Sequence, residues 1–105
     1  MADLAYDPTT PLGQVRLLIN DVNDAAHVFT DVELGAFLTM NTDVVQLAAA
    51  QALDVIASNE ALVSKVIHTQ ALSTNGPATA AALRAHAAQL RIDAENADYS
   101  FDVVE

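Results

Sequence analysis

From residue 11 onward apolar side chains return every three to four positions, the spacing of helices that bury one face. Val15, Leu18 and Ile19 set the first stripe and predict a helix from Pro11 to about Asn20. Thr10 offers a capping hydroxyl and Pro11 fits the first helical position. On this reading Arg16 lies on the side away from the core. A second, short helix is expected over about Asp31 to Thr39. It opens on "TDVE", a capping box in which Thr30 takes the Glu33 amide and Glu33 reaches back to the Thr30 amide. Phe29 and Leu34 stand where a hydrophobic staple needs them. The third stripe is the longest: Val45, Ala48, Ala49, Ala52, Ile56, Val63 and Val66 keep a 3.6 period through "DVVQLAAAQALDVIASNEALVSKVI". It predicts one helix of about two dozen residues, ~36 Å long, capped by Asn41 or Thr42. Gln46, Asp54, Ser58 and Lys65 mark its wet side. A breaker, "HTQALSTNGP", follows, with Leu72 expected to tack it to the core. The fourth helix is expected from about Pro77 to Asn96. Ala80, Leu83, Ala87, Leu90 and Ala94 form its apolar stripe, and Arg84 and Arg91, seven apart, form a second line.

The two ends lose this period. Residues 1–10, "MADLAYDPTT", end in turn formers and read as an extended arm. In the tail, residues 97–105, Tyr99, Phe101 and Val103 alternate with Ser100 and Asp102, and Val104 adds another apolar side chain; that alternation predicts an extended, strand-like segment. The fold class expected is all-α: a small bundle of about four helices, two short and two long, with extended N- and C-terminal arms. Nothing divides the chain, so residues 1–105 read as one domain with its helical core at 11–96.

Composition changes this picture in two ways. Alanine supplies 21 of the 105 residues, and aromatic residues only 5%. Such a core is thin, and neighbouring subunits would reinforce it. Charge matters more. Four Lys and Arg stand against fourteen Asp and Glu, a net charge of −10. Arg16, Lys65, Arg84 and Arg91 are scattered, whereas nucleic-acid binders cluster cations to neutralise phosphates. With no cysteine, disulfides, thiolate metal sites and cysteine nucleophiles are all excluded. No signal-peptide pattern or membrane-length apolar run is present.

The stretch "INDVNDAAHVFTDVEL" concentrates four acids, two asparagines and a histidine, and invites a metal reading. A calcium loop counted from Asp21 fits at Asn23. It fails at Ala25, at Ala26 where glycine is needed, and at Val32 where the bidentate glutamate belongs. The polar residues are accounted for by a helix stop followed by a capped helix start. His27, His68 and His86 lack the i, i+4 spacing of a zinc pair. The serines lack a nucleophile-elbow setting, and the three glycines are isolated. No catalytic, cofactor or metal residues are therefore assigned, and no enzyme activity is expected. The tail is the candidate binding element. Tyr99, Phe101, Val103 and Val104 can fold back on their own core, stay frayed at the chain end, or dock on another subunit or protein. The tail's acids could line a channel or meet Arg84 and Arg91 of an adjacent subunit.

The order "TPLGQVRLLINDVND", "VFTDVELGAFL", "AAAQALDVIAS", "HTQALSTNGP" and "AALRAHAAQLR", over about residues 10–95, resembles the head–tail connector (adaptor) proteins of long-tailed double-stranded DNA phages. The resemblance implies a virion protein of the neck, made in the bacterial host cytoplasm and assembled as a homo-oligomeric ring, usually a dodecamer. Its expected partners are the portal protein on one side and the stopper or tail-completion protein on the other. DNA would pass through the channel without sequence-specific binding, and no membrane or cofactor is implied. An acidic channel wall suits DNA that must slide without sticking. The other class of function compatible with the residues is a small acidic protein-binding module, such as an antitoxin or regulatory adaptor.

Overall fold

The computed structural model describes residues 7–22, 26–70 and 75–103, and for 69–70 and 98–103 the backbone alone. Five helices follow in order: α1 (Pro11–Ile19), α2 (Asp31–Met40), α3 (Val45–Ala57), α4 (Glu60–Gln70) and α5 (Gly76–Val103). The described residues form no strand. The all-α class stands, with five helices where four are expected from the periodicity.

Local chemistry explains the early boundaries. Thr10 accepts a hydrogen bond from the Gly13 amide at 3.1 Å, and Pro11 opens α1. The chain before it turns tightly: the amide and hydroxyl of Thr10 both donate to the Asp7 carbonyl. Thr9 donates its hydroxyl and amide to Asp7 Oδ1, which holds that carboxyl below its usual range. A Cβ on Gly13 would sit 1.7 Å from the Asp7 carbonyl oxygen, so this close approach requires glycine. Asn20 ends α1 in the left-handed region at φ 61°.

Two boundaries differ from the sequence expectation. The long third helix is two helices. Ser58 closes α3, and Asn59 Oδ1 accepts from the amides of Ala61 and Leu62, capping α4. An asparagine that can bind its own downstream amides competes with helix continuation, although the apolar period runs on across it. The start of α3 also differs: its cap position is Val44, with no side-chain bond. Asn41 instead serves α2, donating to the Phe37 carbonyl at 2.8 Å and to Gln51 Oε1 at 2.6 Å. Thr42 and Asp43 make the turn with φ of 53° and 63°.

The C-terminal arm is a third correction. The segment expected to be extended continues α5 as helix to Val103. Between Ala78 and Glu105 the sequence contains no Gly or Pro, and adding residues to an existing helix costs far less than starting one. Five alternating residues do not outweigh that. The first six residues of the expected N-terminal arm, Leu72 of the breaker, and Val104 lie outside the described residues.

α3 holds the molecule together. It packs against α1 and α2 on one part of its surface and against α4 and α5 on another; α5 packs on α3 and α4. Ala48, Ala49, Ala50 and Ala52 are fully buried, and these small side chains let the neighbouring helices approach closely. Larger groups fill the remaining space: Val15, Leu34, Leu53, Ile56 and Val66 are nearly inaccessible. Phe29 and Phe37 meet edge to face, 5.2 Å between centroids. On α5, Ala87 and Leu90 are buried, and Ala80 and Leu83 pack partly against the same core.

Candidate protein interface

The acidic stretch before α2 is built around a buried arginine. Arg16, expected on the wet side, is 1% exposed. Its Nη1 donates to Asp21 Oδ2 at 3.0 Å; its Nη2 donates to Asp31 Oδ1 at 2.7 Å and to the Phe29 carbonyl at 3.0 Å. Asp21, itself 3% exposed, also accepts from the Val28 and Phe29 amides, at 2.8 and 3.1 Å. Both carboxylate oxygens of Asp21 are thus filled by protein donors, and its negative charge is balanced by Arg16. The capping box is complete: the Glu33 amide donates to Thr30 Oγ1, and the Thr30 amide donates to Glu33 Oε1 at 2.8 Å. The stretch is a structural junction that ties the end of α1 to the start of α2. Among the described residues no group of three or more His, Asp or Glu is placed to hold a metal ion.

One group at this junction lacks a partner. His27 Nε2 is buried and makes no hydrogen bond. The carbonyl of the same residue accepts from Lys65 Nζ of α4 at 2.5 Å, so the junction is fastened to the far half of the bundle as well.

The interface residues expected on α5 have definite places. Arg84 donates to the Ala57 carbonyl at 3.2 Å and so satisfies an open carbonyl at the end of α3. Arg91 pairs with Asp54 of α3 at 2.6 Å, both side chains being about two-fifths exposed. These two arginines are brought together in one role, clamping α5 along α3, and each is engaged within its own chain. The helical backbone also rearranges the expected tail face. In a strand Tyr99, Phe101 and Val103 share a side. In a helix Tyr99 and Val103, four apart, share a line, while Phe101, two from each, falls on nearly the opposite face.

With these contacts each of the four Lys and Arg side chains has an internal partner: Arg16 at the junction, Lys65 on the His27 carbonyl, Arg84 on the end of α3 and Arg91 on Asp54. The formal net charge of the chain is −10. An open cleft between α4 and α5, lined by Val63, Ile67, Ala80 and Arg84 among others, has a volume of about 540 Å³. No helix among the described residues is long and apolar enough to cross a membrane. No protein-family model matches the chain, and no match was found among curated proteins or among solved structures.

Proposed function

We propose that the chain is a structural protein of a phage neck: a head–tail connector that forms a ring between the portal and the stopper or tail and extends the DNA channel. What supports this reading is the resemblance carried by residues 10–95, together with a charge distribution suited to a conduit. The observation that carries it is the engagement of all four cations in internal contacts on a chain of net charge −10. A wall of this kind offers DNA only four scattered cations among fourteen acids, so contact releases few counterions and leaves the strand free to slide. The thin alanine-rich core fits a protomer that ring neighbours reinforce.

The test is electron microscopy of the purified protein mixed with portal-bearing capsids from the phage genome that encodes it. The expected result is extra ring density beneath the portal, coaxial with the channel. Capsids that bind no protein, or a genome with no portal gene, would overturn the reading in favour of a small acidic protein-binding module.

A further inference from the structure

We infer that the outward face of α2 is a contact between two copies of this chain, packed antiparallel across a two-fold axis at Ala36. The first observation is that α2 is apolar on both sides. Leu34, Phe37 and Leu38 are buried in the core, where α2 packs on α1 and α3. The opposite side carries Val32, Gly35, Ala36, Thr39 and Met40, and no charge. Val32 is 83% and Met40 60% exposed, and Ala36 and Thr39 are exposed between them. The hydroxyl on this face is satisfied within the helix, Thr39 donating to the Gly35 carbonyl at 3.1 Å. A surface helix ordinarily turns charged side chains to water, as α4 and α5 do with Glu60, Lys65, Asp93 and Glu95. A helix that is apolar all round is one that is covered all round.

The second observation, charge, selects the occupant and its direction. On a chain of net charge −10, two copies repel wherever acids face acids. The outward face of α2 is a surface on which they can meet without doing so. The two acids of α2 stand in its first turn and are engaged in their own chain: Asp31 with Arg16, and Glu33 in the capping box. Parallel pairing would set these acids, and two helix N-termini, side by side. Antiparallel pairing separates the acids and sets each N-terminus beside the other copy's C-terminus.

The third observation is shape. Val32 and Met40 stand one turn before and one turn after Ala36. A two-fold axis at Ala36 therefore places Val32 of each copy against Met40 of the other, and the small residues at the centre let the backbones approach. At Gly35 nothing lies within 4 Å of a Cβ, so the space beside the centre is open. Area sets the strength. A ten-residue helix is ~15 Å long, and one face of it falls well short of the ~800 Å² per partner of a stable dimer. The pair is thus weak and forms where copies are concentrated. A ring repeats a head-to-tail contact. This two-fold contact is separate from it and holds whether or not the chain is a connector.

The test is disulfide trapping of the full chain, which has no cysteine of its own. Helices ~8–10 Å apart bring Cα atoms facing each other at the axis to about 5 Å, within reach of a disulfide. Under mild oxidation Ala36→Cys should form a covalent dimer at least about tenfold faster than Leu17→Cys or Ser64→Cys, which are also exposed. A mixture of Val32→Cys and Met40→Cys chains should give the mixed disulfide in preference to either homodimer. Sedimentation equilibrium of the unaltered chain should show a monomer–dimer association that tightens from about 50 mM to about 0.5 M NaCl, as salt screens the repulsion between copies. Ala36→Glu should weaken it about tenfold or more; circular dichroism checks that this variant keeps its fold. Equal trapping rates at Ala36, Leu17 and Ser64 overturn the inference. So does a Val32→Cys chain that joins itself faster than it joins Met40→Cys, an association indifferent to Ala36→Glu, or a monomer at every concentration.

Discussion

A single side chain, Arg16, decides more of the local structure than any stretch of the core. Periodicity alone set it on the wet face, yet a second pattern was there to be read. Leu12, Arg16 and Ile19 lie on one line at i, i+4 and i+7, and Leu12 and Ile19 both contribute to the core. An arginine on that line needs buried acceptors, and the acids to supply them are at Asp21 and Asp31. Which acids fold back on it depends on the path of the loop, and that is not a local property. Removing the guanidinium leaves Asp21 buried without its counter-charge. Arg16→Met should therefore lower stability by about 3–5 kcal/mol, whereas Asp31→Asn, at a carboxylate 75% exposed, should cost under about 1 kcal/mol. Urea unfolding of both variants checks the contrast; equal losses would mean that Asp21 does not depend on Arg16. Two glycines make a similar pair. Nothing lies within 4 Å of a Cβ at Gly35, inside α2, so Gly35→Ala should stabilise by about 0.5–1 kcal/mol. At Gly13 the same substitution meets the Asp7 carbonyl, and the sign should reverse. Thermal melts of the two variants moving in the same direction would show that the turn before α1 does not press on Gly13.

At the scale of elements, the boundaries that were legible are those written in side chains two or three residues apart. The Thr10 cap and the Thr30–Glu33 box are of this kind, and the structure has both. The break between α3 and α4 is written just as locally, in Ser58 and Asn59, but an unbroken apolar stripe hid it. The stripe persists because Ile56, Val63 and Val66 are all buried in the same core, on either side of the kink. The start of α3 was not legible at all: Thr42 and Asp43 in left-handed conformations are imposed by the closure of the α2–α3 turn, in which the Asp43 amide donates to the Leu38 carbonyl at 2.7 Å. The tail is not legible in its own five-residue alternation, because the helix that leads into it sets its backbone. If Asn59 caps α4 as its bonds indicate, Asn59→Ala should cost about 0.5–2 kcal/mol, close to the loss expected for Thr30→Ala. Chemical denaturation measures both. An Asn59 variant with unchanged stability would mean that α3 and α4 behave as the single kinked helix the stripe suggests.

At the scale of the whole molecule, the described side chains of α5 divide at Leu90 into a buried part and a more exposed one. Its proximal part is core: Ala87 is fully buried and Leu90 is 5% exposed. Beyond it, Ala94 is half-buried and the other residues of 91–97 are exposed, and the helical backbone continues to Val103. The stability of the domain should therefore respond very differently to changes a few turns apart on one helix. Leu90→Ala removes a buried leucine and leaves a cavity against α3, which should cost about 2–5 kcal/mol. For a domain of this size that lowers Tm by on the order of 10 °C. Deleting residues 98–105 removes a whole segment, including two aromatic residues, yet should shift Tm by no more than about 4 °C. Its helical signal should drop only by the share of the residues removed. Differential scanning calorimetry and circular dichroism of the two variants give the comparison. A truncation that melts as early as Leu90→Ala would mean that Tyr99, Phe101 or Val103 closes the core of its own chain. The distal half of α5 would then be a structural element of the bundle.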